Sequence, residues 1–362
     1  MHAFTLRLHQ ALGDAVAFTA VVRDLKRQHP QYRVALDVNW RPVWEGNPHA
    51  TLGADPNGRR VEVGYTPGVV ASKAGRPVHL IRALCDDLYA KLGLRVEPEE
   101  PRGEIVPRAG EETSPVGGRY WLVFAGGKLD MTVKHWHAAR YQAVVDRLRG
   151  LGVNCVQGGA AAVGHVHPPL QNVLGAVGRT ENVRDLIRLV RHADGVVCGV
   201  TGPMHLAAAL GRPCVVVAGG REEPSFFGYT NAYLKEAFGP RCRPVEVEHK
   251  ILHTVGLLHC CGKAGCWRKR TVVIDAKDVG RPDRLCLEPV RTGDHPVAKC
   301  LDMVTVDHVV EAVLAYYADG TLPRLRQRHE NLHQVQRETT SGGVLPGRDP
   351  PRRSLSVLPD VQ

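Results

Sequence analysis

The chain has 362 residues, 43% of them hydrophobic and 23% charged, an ordinary globular composition that suits two domains at roughly 100–200 residues each. A formal net charge of +10 favours anionic partners such as nucleic acid, phosphorylated small molecules or an acidic membrane surface. The basic residues are dispersed, which excludes a Lys/Arg-rich nucleic-acid arm. Residues 1–8 are too polar for the apolar core of a signal peptide, and no apolar run approaches the ~20 residues that span a bilayer. A soluble, cytoplasmic protein is expected.

Residues 4–9 alternate apolar and polar and predict a strand. Residues 15–28 carry a helical stripe through Val16, Thr19, Ala20 and Leu25. Further strands are expected at 33–38 and 61–63. A helix is expected at 80–92, with Leu80, Leu84, Leu88 and Leu92 on one face. The Pro-, Gly- and Glu-rich stretch 97–118 reads as an interdomain linker, with a short strand at 104–106. The second half repeats the alternation. Strands are predicted at 120–124, 153–157, 195–198 and 214–217, and helices at 138–151, 183–192, 204–210 and 306–317. Such alternation argues parallel sheets covered by helices. Three of the strands end in paired glycines, Gly126-Gly127, Gly158-Gly159 and Gly219-Gly220. Ligands in open α/β sheets bind beyond the carboxyl ends of the strands, so these ends are where a site is sought. The expected organisation is α/β with two Rossmann-like domains, 1–108 and 118–240, facing a cleft. A cysteine-rich insertion (241–303), a closing helix (304–322) and a disordered, Arg- and Pro-rich tail (323–362) follow.

Four segments carry candidate chemistry. At Thr201-Gly202-Pro203-Met204-His205 a strand ends and a helix begins. Thr suits the N-cap, Pro the first turn, and the exposed N–H groups and helix dipole suit a pyrophosphate. At Leu12-Gly13-Asp14, the Asp14 carboxylate could accept a proton from an attacking hydroxyl, or merely cap the first helix. Gly126-Gly127-Lys128, followed by Lys134-His135-Trp136, offers close backbone approach and two cations for phosphate. Arg221, after Gly219-Gly220, could bind phosphate or ribose.

Together these segments resemble glycosyltransferase family 9, the ADP-heptose:lipopolysaccharide heptosyltransferases. The resemblance rests on Gly13-Asp14 with its helix, Glu45-Gly46-Asn47-Pro48, Lys134-His135-Trp136 and the run from Thr201 to Gly211, in collinear order over residues 1–235. It implies a GT-B architecture and metal-independent, inverting transfer from a nucleotide-diphosphate sugar held by the C-terminal domain. It also implies that Asp14 is the general base, that Lys134 lies on the donor phosphates, and that Thr201, Gly202, Pro203, Met204 and His205 form the diphosphate-binding turn. The family carries an Asp where this chain has Val200.

Five of the ten cysteines lie between Cys260 and Cys300. Cys261 and Cys266 are separated by four residues, Cys286 follows after nineteen more and Cys300 after thirteen. Four thiolates from two such pairs could form a tetrahedral structural site for Zn or Fe, with Cys260 able to replace Cys261. The remaining apolar-context cysteines, Cys85, Cys155, Cys198 and Cys214, read as buried small hydrophobes. A branch of the heptosyltransferases that modifies autotransporter proteins is similar in adding a metal-binding cysteine cluster after the donor domain.

The expected activity is transfer of a heptose-like sugar from an ADP-heptose-like donor to a glycan or protein hydroxyl. No cofactor is expected for catalysis and no nucleic acid as partner, with peripheral contact to the inner membrane as a further expectation. The alternative is a zinc-module nucleic-acid-binding or regulatory protein on a non-catalytic scaffold. It fits the charge but lacks interleaved aromatic and basic residues.

Overall fold

The computed structural model describes residues 3–325 except 179, 181, 263, 277, 280 and 292–294. Most of the tail expected at 323–362 lies outside the described residues.

The N-terminal half is built on a three-stranded parallel sheet. Strands β1 (Ala3–Leu8), β2 (Arg33–Val38) and β3 (Arg59–Glu62) lie in the order β2-β1-β3, so β1 is central. Helix α1 (Leu12–Gln28) connects β1 to β2; α2 (Thr66–Lys73) and α3 (Leu80–Leu92) follow β3. The first helix begins earlier than its apolar stripe suggests. Asp14 therefore sits inside its first turn rather than at its cap. Its carboxylate accepts the Ala11 N–H at 3.0 Å, while Ala11 has no side chain to return the bond.

The C-terminal half is built on a six-stranded parallel sheet. Its elements in chain order are β4 (Tyr120–Val123), β5 (Gly127–Lys128), α4 (Ala138–Gly150), β6 (Asn154–Gln157), β7 (His165–Val166), β8 (Leu174–Gly175), α5 (Val183–His192), β9 (Gly195–Gly199), α6 (Gly202–Ala209) and β10 (Cys214–Gly219). Then come α7 (Pro224–Phe227), α8 (Asn231–Phe238), β11 (Lys250–His253), β12 (Pro289–Val290), β13 (Val297–Ala298), α9 (Lys299–Asp302) and α10 (Val306–Ala318). The strand order is β11-β10-β9-β4-β6-β8; β5 pairs with β7 and β12 with β13 in small antiparallel ribbons. β9 and β10 are buried along their whole length, which fits their unbroken apolar sequence.

The two faces of this sheet belong to different cores. Trp121, Val123, Val197, Val215 and Val217 pack under α4 and α10. The Trp121 indole N–H donates to the Tyr317 hydroxyl at 2.7 Å, and the Tyr316 hydroxyl donates to Cys214 O at 3.1 Å, fixing α10 across the sheet. On the opposite face, Leu122, Val196, Cys198 and Met204 join Leu6, Val16, Phe18 and Leu84 of the N-terminal half in one continuous core. All four cysteines read as small hydrophobes (Cys85, Cys155, Cys198, Cys214) are buried.

The strand expected at 104–106 does not form; this part of the linker is extended but pairs with no strand. Its backbone is satisfied by side chains instead. The Glu104 N–H donates to Thr19 Oγ1 at 2.7 Å, and Arg23 donates to Glu100 O at 2.7 Å. Arg23 is itself buried and paired with Asp24 at 3.0 Å. The linker is thus strapped along α1. At the other end, Glu111 is ion-paired with Arg184 of α5, a contact that holds its carboxyl below the usual range despite burial.

Candidate functional site

In the larger, all-parallel sheet β4 is flanked by β6 on one side and β9 on the other, so the order in which successive strands are added reverses between β4 and β9. A crevice opens at such a switch point, outside the carboxyl ends of the strands. The segment after β4 brings Gly126-Gly127 there, and the turn after β9 brings Thr201-Gly202. In the smaller sheet β1 is the corresponding strand, and its carboxyl end leads into Gly13-Asp14. The halves are packed so that α1 and α6 meet N-terminus to N-terminus. A Cβ at Gly13 would come within 2.5 Å of the His205 ring, and one at Gly202 within 3.3 Å of Leu12. Glycine is required at Gly13 by this approach.

Asp14 lies in this contact. Burial raises its carboxyl above the usual range; the Ala11 N–H, Lys134 and the Tyr65 hydroxyl oppose that rise. The ammonium of Lys134 donates to Val200 O at 3.1 Å and forms an ion pair with Glu222 at 3.0 Å. Burial, with the nearby Arg221 guanidinium, pushes the Lys134 pKa well below its ordinary value; Asp14 and Asp130 oppose that shift. The sequence reading missed Glu222 and Tyr65. Glu222, from the turn after β10, and the Val200 carbonyl share the Lys134 ammonium. Its signal was in the sequence, in the polar turn Arg221-Glu222-Glu223, but only the tertiary fold aims it at Lys134.

The residues expected at the donor divide into two sets. Thr201, Gly202 and Pro203 remain partly accessible at the start of α6. Thr201 occupies the N-cap, yet its hydroxyl donates back to Gly199 O at 3.2 Å instead of capping the helix. Gly127 lies beside His135 and the Thr201 methyl, while Gly126 permits approach to Val166 O, 1.9 Å from where its Cβ would be. Lys128 is exposed and Lys134 mostly buried.

Met204, His205 and Arg221 depart from the expectation. Met204 is fully buried in the core and its N–H is used by Thr201 O at 3.2 Å. His205 is 6% exposed; its Nδ1 and the Tyr229 hydroxyl share a hydrogen bond of 2.8 Å, and burial pushes its pKa down to about 3. A neutral, packed ring brings no charge to a diphosphate. Arg221 is buried, ion-paired with Glu222, donates through Nε to Arg268 O at 2.5 Å and lies over the Trp267 ring. These bonds make Arg221 a link inside the protein rather than an open phosphate ligand.

The five clustered cysteines come together. Cys260, Cys261, Cys266, Cys286 and Cys300 all line one cavity of about 10 Å³, with Gly220 beneath them. Cys261 and Cys300 are buried, and a Cβ at Gly220 would meet Cys261 Sγ at 3.2 Å. The Cys261 thiol donates to Leu258 O at 3.2 Å. Burial and the neighbouring thiols push Cys260 up to about 11 and Cys300 up to about 12. Among the described residues, no three His, Cys, Asp or Glu side chains are grouped so as to hold a metal, so the expected tetrahedral set is gathered but not closed. The cysteine-rich segment also braces the site: the Val133 N–H donates to Lys269 O at 3.2 Å, and the Thr271 N–H to Thr132 Oγ1 at 3.0 Å.

Among the described residues no helix is long and apolar enough to cross a membrane.

Residues 79–239 match the model of glycosyltransferase family 9 (heptosyltransferase), a span that ends before the cysteine-rich segment. No curated protein matches the sequence. Among solved structures, the chain is similar to the iron-containing dodecameric glycosyltransferase TibC from enterotoxigenic E. coli H10407, with 15% identity over 89% of this chain and 78% of that one and a TM-score of 0.59. The glycosyl transferase family 9 protein of Veillonella parvula DSM 2008 shares 14% identity over 87% of this chain and 96% of its own, with a TM-score of 0.52. The ADP-heptose lps heptosyltransferase II of E. coli shares 15% identity over 89% and 100%, also with a TM-score of 0.52. These likenesses show a shared GT-B-like fold, and the part of the chain that matches the family model, residues 79–239, lies within it.

Proposed function

We propose that the protein transfers a heptose-like sugar from an ADP-linked donor to a hydroxyl of a glycan or protein, with inversion. The observation that carries this reading is the meeting of Asp14 and Lys134 beside the uncapped start of α6. Asp14 takes the proton of the acceptor hydroxyl as its oxygen attacks the anomeric carbon and the bond to the diphosphate breaks. A buried carboxylate with a raised pKa is a stronger base than an exposed one. Lys134 and the backbone N–H groups of Thr201 and Gly202 stabilise the negative charge that develops on the leaving diphosphate. Gly126, Gly127 and Lys128 flank the same phosphates; Glu222 holds Lys134 in place, and Arg221 holds Glu222. A relative of the same fold, TibC, is described in complex with ADP-D-beta-D-heptose, which supports the choice of donor.

We read residues 1–108 as the acceptor domain and 118–240 as the donor domain, with 241–303 as a cysteine-rich module and 304–322 as the helix that closes the donor sheet. Five thiols in one lining, with Glu288 its single carboxylate beside Arg268 and Lys299, suit a soft metal better than a hard one. Cys261, Cys266, Cys286 and Cys300, with Cys260 as substitute, would hold iron or zinc. The metal would supply a structural cross-link and no step of the transfer. The iron of TibC supports iron over zinc. A protein of this kind would act in the cytoplasm, with peripheral contact to the inner membrane.

The test is a thermal-shift series with nucleotide sugars, followed by turnover of Asp14→Asn. ADP-sugars are expected to stabilise the unaltered chain by mass action on the folded state. Asp14→Asn is expected to keep that shift and lose about 10²–10⁴-fold in kcat. Turnover unchanged in Asp14→Asn would remove the general base from the reading.

A further inference from the structure

The Asp14 carboxylate, the base of the proposed transfer, is gripped at two points. One oxygen accepts the Ala11 N–H at 3.0 Å, a bond within the start of its own helix. The second grip comes from another element, because the Tyr65 hydroxyl donates to the same carboxylate. Tyr65 closes the turn after β3, directly before α2, and β3 pairs parallel with β1. The carboxyl ends of these two strands are therefore neighbours, and the start of α2 stands beside the start of α1.

The tyrosine is itself firmly seated. The Val63 N–H donates to Arg7 O at 2.8 Å, which carries the β1–β3 pairing to the edge of the turn. The Gly64 N–H donates to Asp87 Oδ2 of α3 at 2.9 Å, and Asp87 is buried and paired with Lys91 at 2.8 Å. The Tyr65 ring packs against Phe226 of α7 with centroids 6.1 Å apart, and Phe226 packs edge-on against Trp267 at 5.1 Å. The ring thus rests on the C-terminal half while its hydroxyl reaches a carboxylate of the N-terminal half. A carboxylate held at Ala11 alone can turn about its Cβ–Cγ bond. One held by donors from two elements keeps a single orientation, which a base needs at the moment of attack.

We infer that Tyr65 is the positioning residue of the Asp14 base: its hydroxyl fixes the orientation of the carboxylate, and its ring ties that orientation to the C-terminal half through Phe226. The inference rests on the proposed sugar transfer and adds the group that orients its base. Tyr65 acts through Asp14. Burial and Asp14 itself raise the Tyr65 pKa, so the hydroxyl keeps its proton and remains a donor; Arg221 faces it and opposes that rise. Around Asp14, Lys134 and Lys128 also favour the anion. Tyr229 and the neutral His205 ring stand where α1 meets α6. Loss of the Tyr65 hydroxyl removes one group that favours the anion, so Asp14 should hold its proton to higher pH.

The experiment compares the unaltered full chain with Tyr65→Phe, which keeps the ring, and with Phe226→Leu, which keeps the hydroxyl and loosens the packing. The Asp14 carboxyl is titrated by carbon-13 NMR in protein saturated with ADP. Turnover is followed as ADP release from ADP-D-beta-D-heptose, with water in place of the acceptor hydroxyl. Tyr65→Phe is expected to raise the Asp14 titration by about one pH unit, the size of a hydrogen bond to a charged group. It is also expected to lower kcat about tenfold with KM for the donor unchanged. Phe226→Leu is expected to move the titration far less. An Asp14 titration unmoved in Tyr65→Phe, an unchanged kcat, or equal shifts in the two variants would overturn the inference, the last by assigning the effect to packing. If the unaltered chain releases no ADP, sugar transfer fails, and the role of Tyr65 with it. If it releases ADP, Asp14→Asn abolishes the release and Tyr65→Phe changes neither titration nor kcat, Tyr65 alone is refuted.

Discussion

The charged cluster around Lys134 and the thiol cavity around Cys300 lie on either side of the turn Gly219-Gly220-Arg221, and they solve burial in opposite ways. In the first, each charge has an opposite partner: Lys134 with Glu222, and Glu222 with Arg221. In the second, five like groups line one cavity with Arg268, Lys299 and Glu288 at its walls, and burial pushes the Cys260, Cys286 and Cys300 thiols up. A partnered charge cluster is complete before any ligand arrives. A thiol cluster of this composition becomes tight only around a cation. The contrast teaches that one side of the turn is ready for chemistry while the other is built for assembly, and that Arg221, bonded to Arg268 O, joins them.

The sharpest break of this contrast is on the charged side. Lys134→Ala removes the cation and leaves Glu222 and Asp14 facing each other. A loss of about 10²–10³-fold in kcat is expected, measured with saturating nucleotide sugar, as for removal of one preorganised donor. Glu222→Gln keeps the lysine but loosens its seat, so a smaller loss is expected, together with a raised KM for donor.

On the thiol side, purified protein is expected to contain near-stoichiometric iron or zinc. Cys300→Ser should lower both the metal content and the melting temperature. Because the cysteine-rich segment braces Val133 and Thr132 beside Lys134, the same variant should also lower kcat without touching substrate. A metal-free protein with an unchanged melting temperature in Cys300→Ser would leave the cavity as ordinary core.

A third test acts on the contact between the halves. Gly13→Ala places a methyl within 2.5 Å of the His205 ring, which is held by Tyr229 and cannot swing away freely. A destabilisation of about 1–3 kcal/mol is expected by denaturant titration, the usual cost of overpacking.

The last is a pH profile of stability. His79, His205 and His249 are buried, and burial brings each down to about 3. Their unfolded value is about 6.5. Between these values the unfolded chain binds protons that the folded chain refuses, so stability falls as pH drops below about 6.5. Each histidine contributes on the order of 1.4 kcal/mol per pH unit within that window. Asp14, with its raised pKa, works in the opposite direction over the carboxylate range. Replacing His249 by Phe should flatten the profile; an unchanged slope would mean that these rings are protonated in the fold.

The sequence carried the alternation of strands and helices, because strands such as β9 and β10 are apolar on both faces and end in glycine. It also marked Asp14, Lys134 and Thr201 as candidates, because each lies in the segment that follows a strand end. Short elements escaped it: α2 and β11 hold too few turns or residues to show a period. The expected strand at 104–106 failed because side chains distant in sequence take its backbone bonds: Thr19 accepts the Glu104 N–H and Arg184 donates to Val106 O. His205 and Arg221 were misjudged for a related reason. Their residue types suit phosphate, but Tyr229 and Glu222, which occupy them, are adjacent only in the fold. The closeness of the five thiols was legible from their crowding in sequence; their open arrangement was not.

The core that runs unbroken from Leu6 and Phe18 to Val196 and Met204 has a consequence for how the protein comes apart. Two Rossmann units joined by a loose linker would melt as two independent bodies. Here the sheet of one half finds its apolar cover on the helices of the other. Exposing either half alone strips the facing side of its partner. Heating should therefore give one cooperative calorimetric transition for both halves, and proteolysis should release no stable half-molecule.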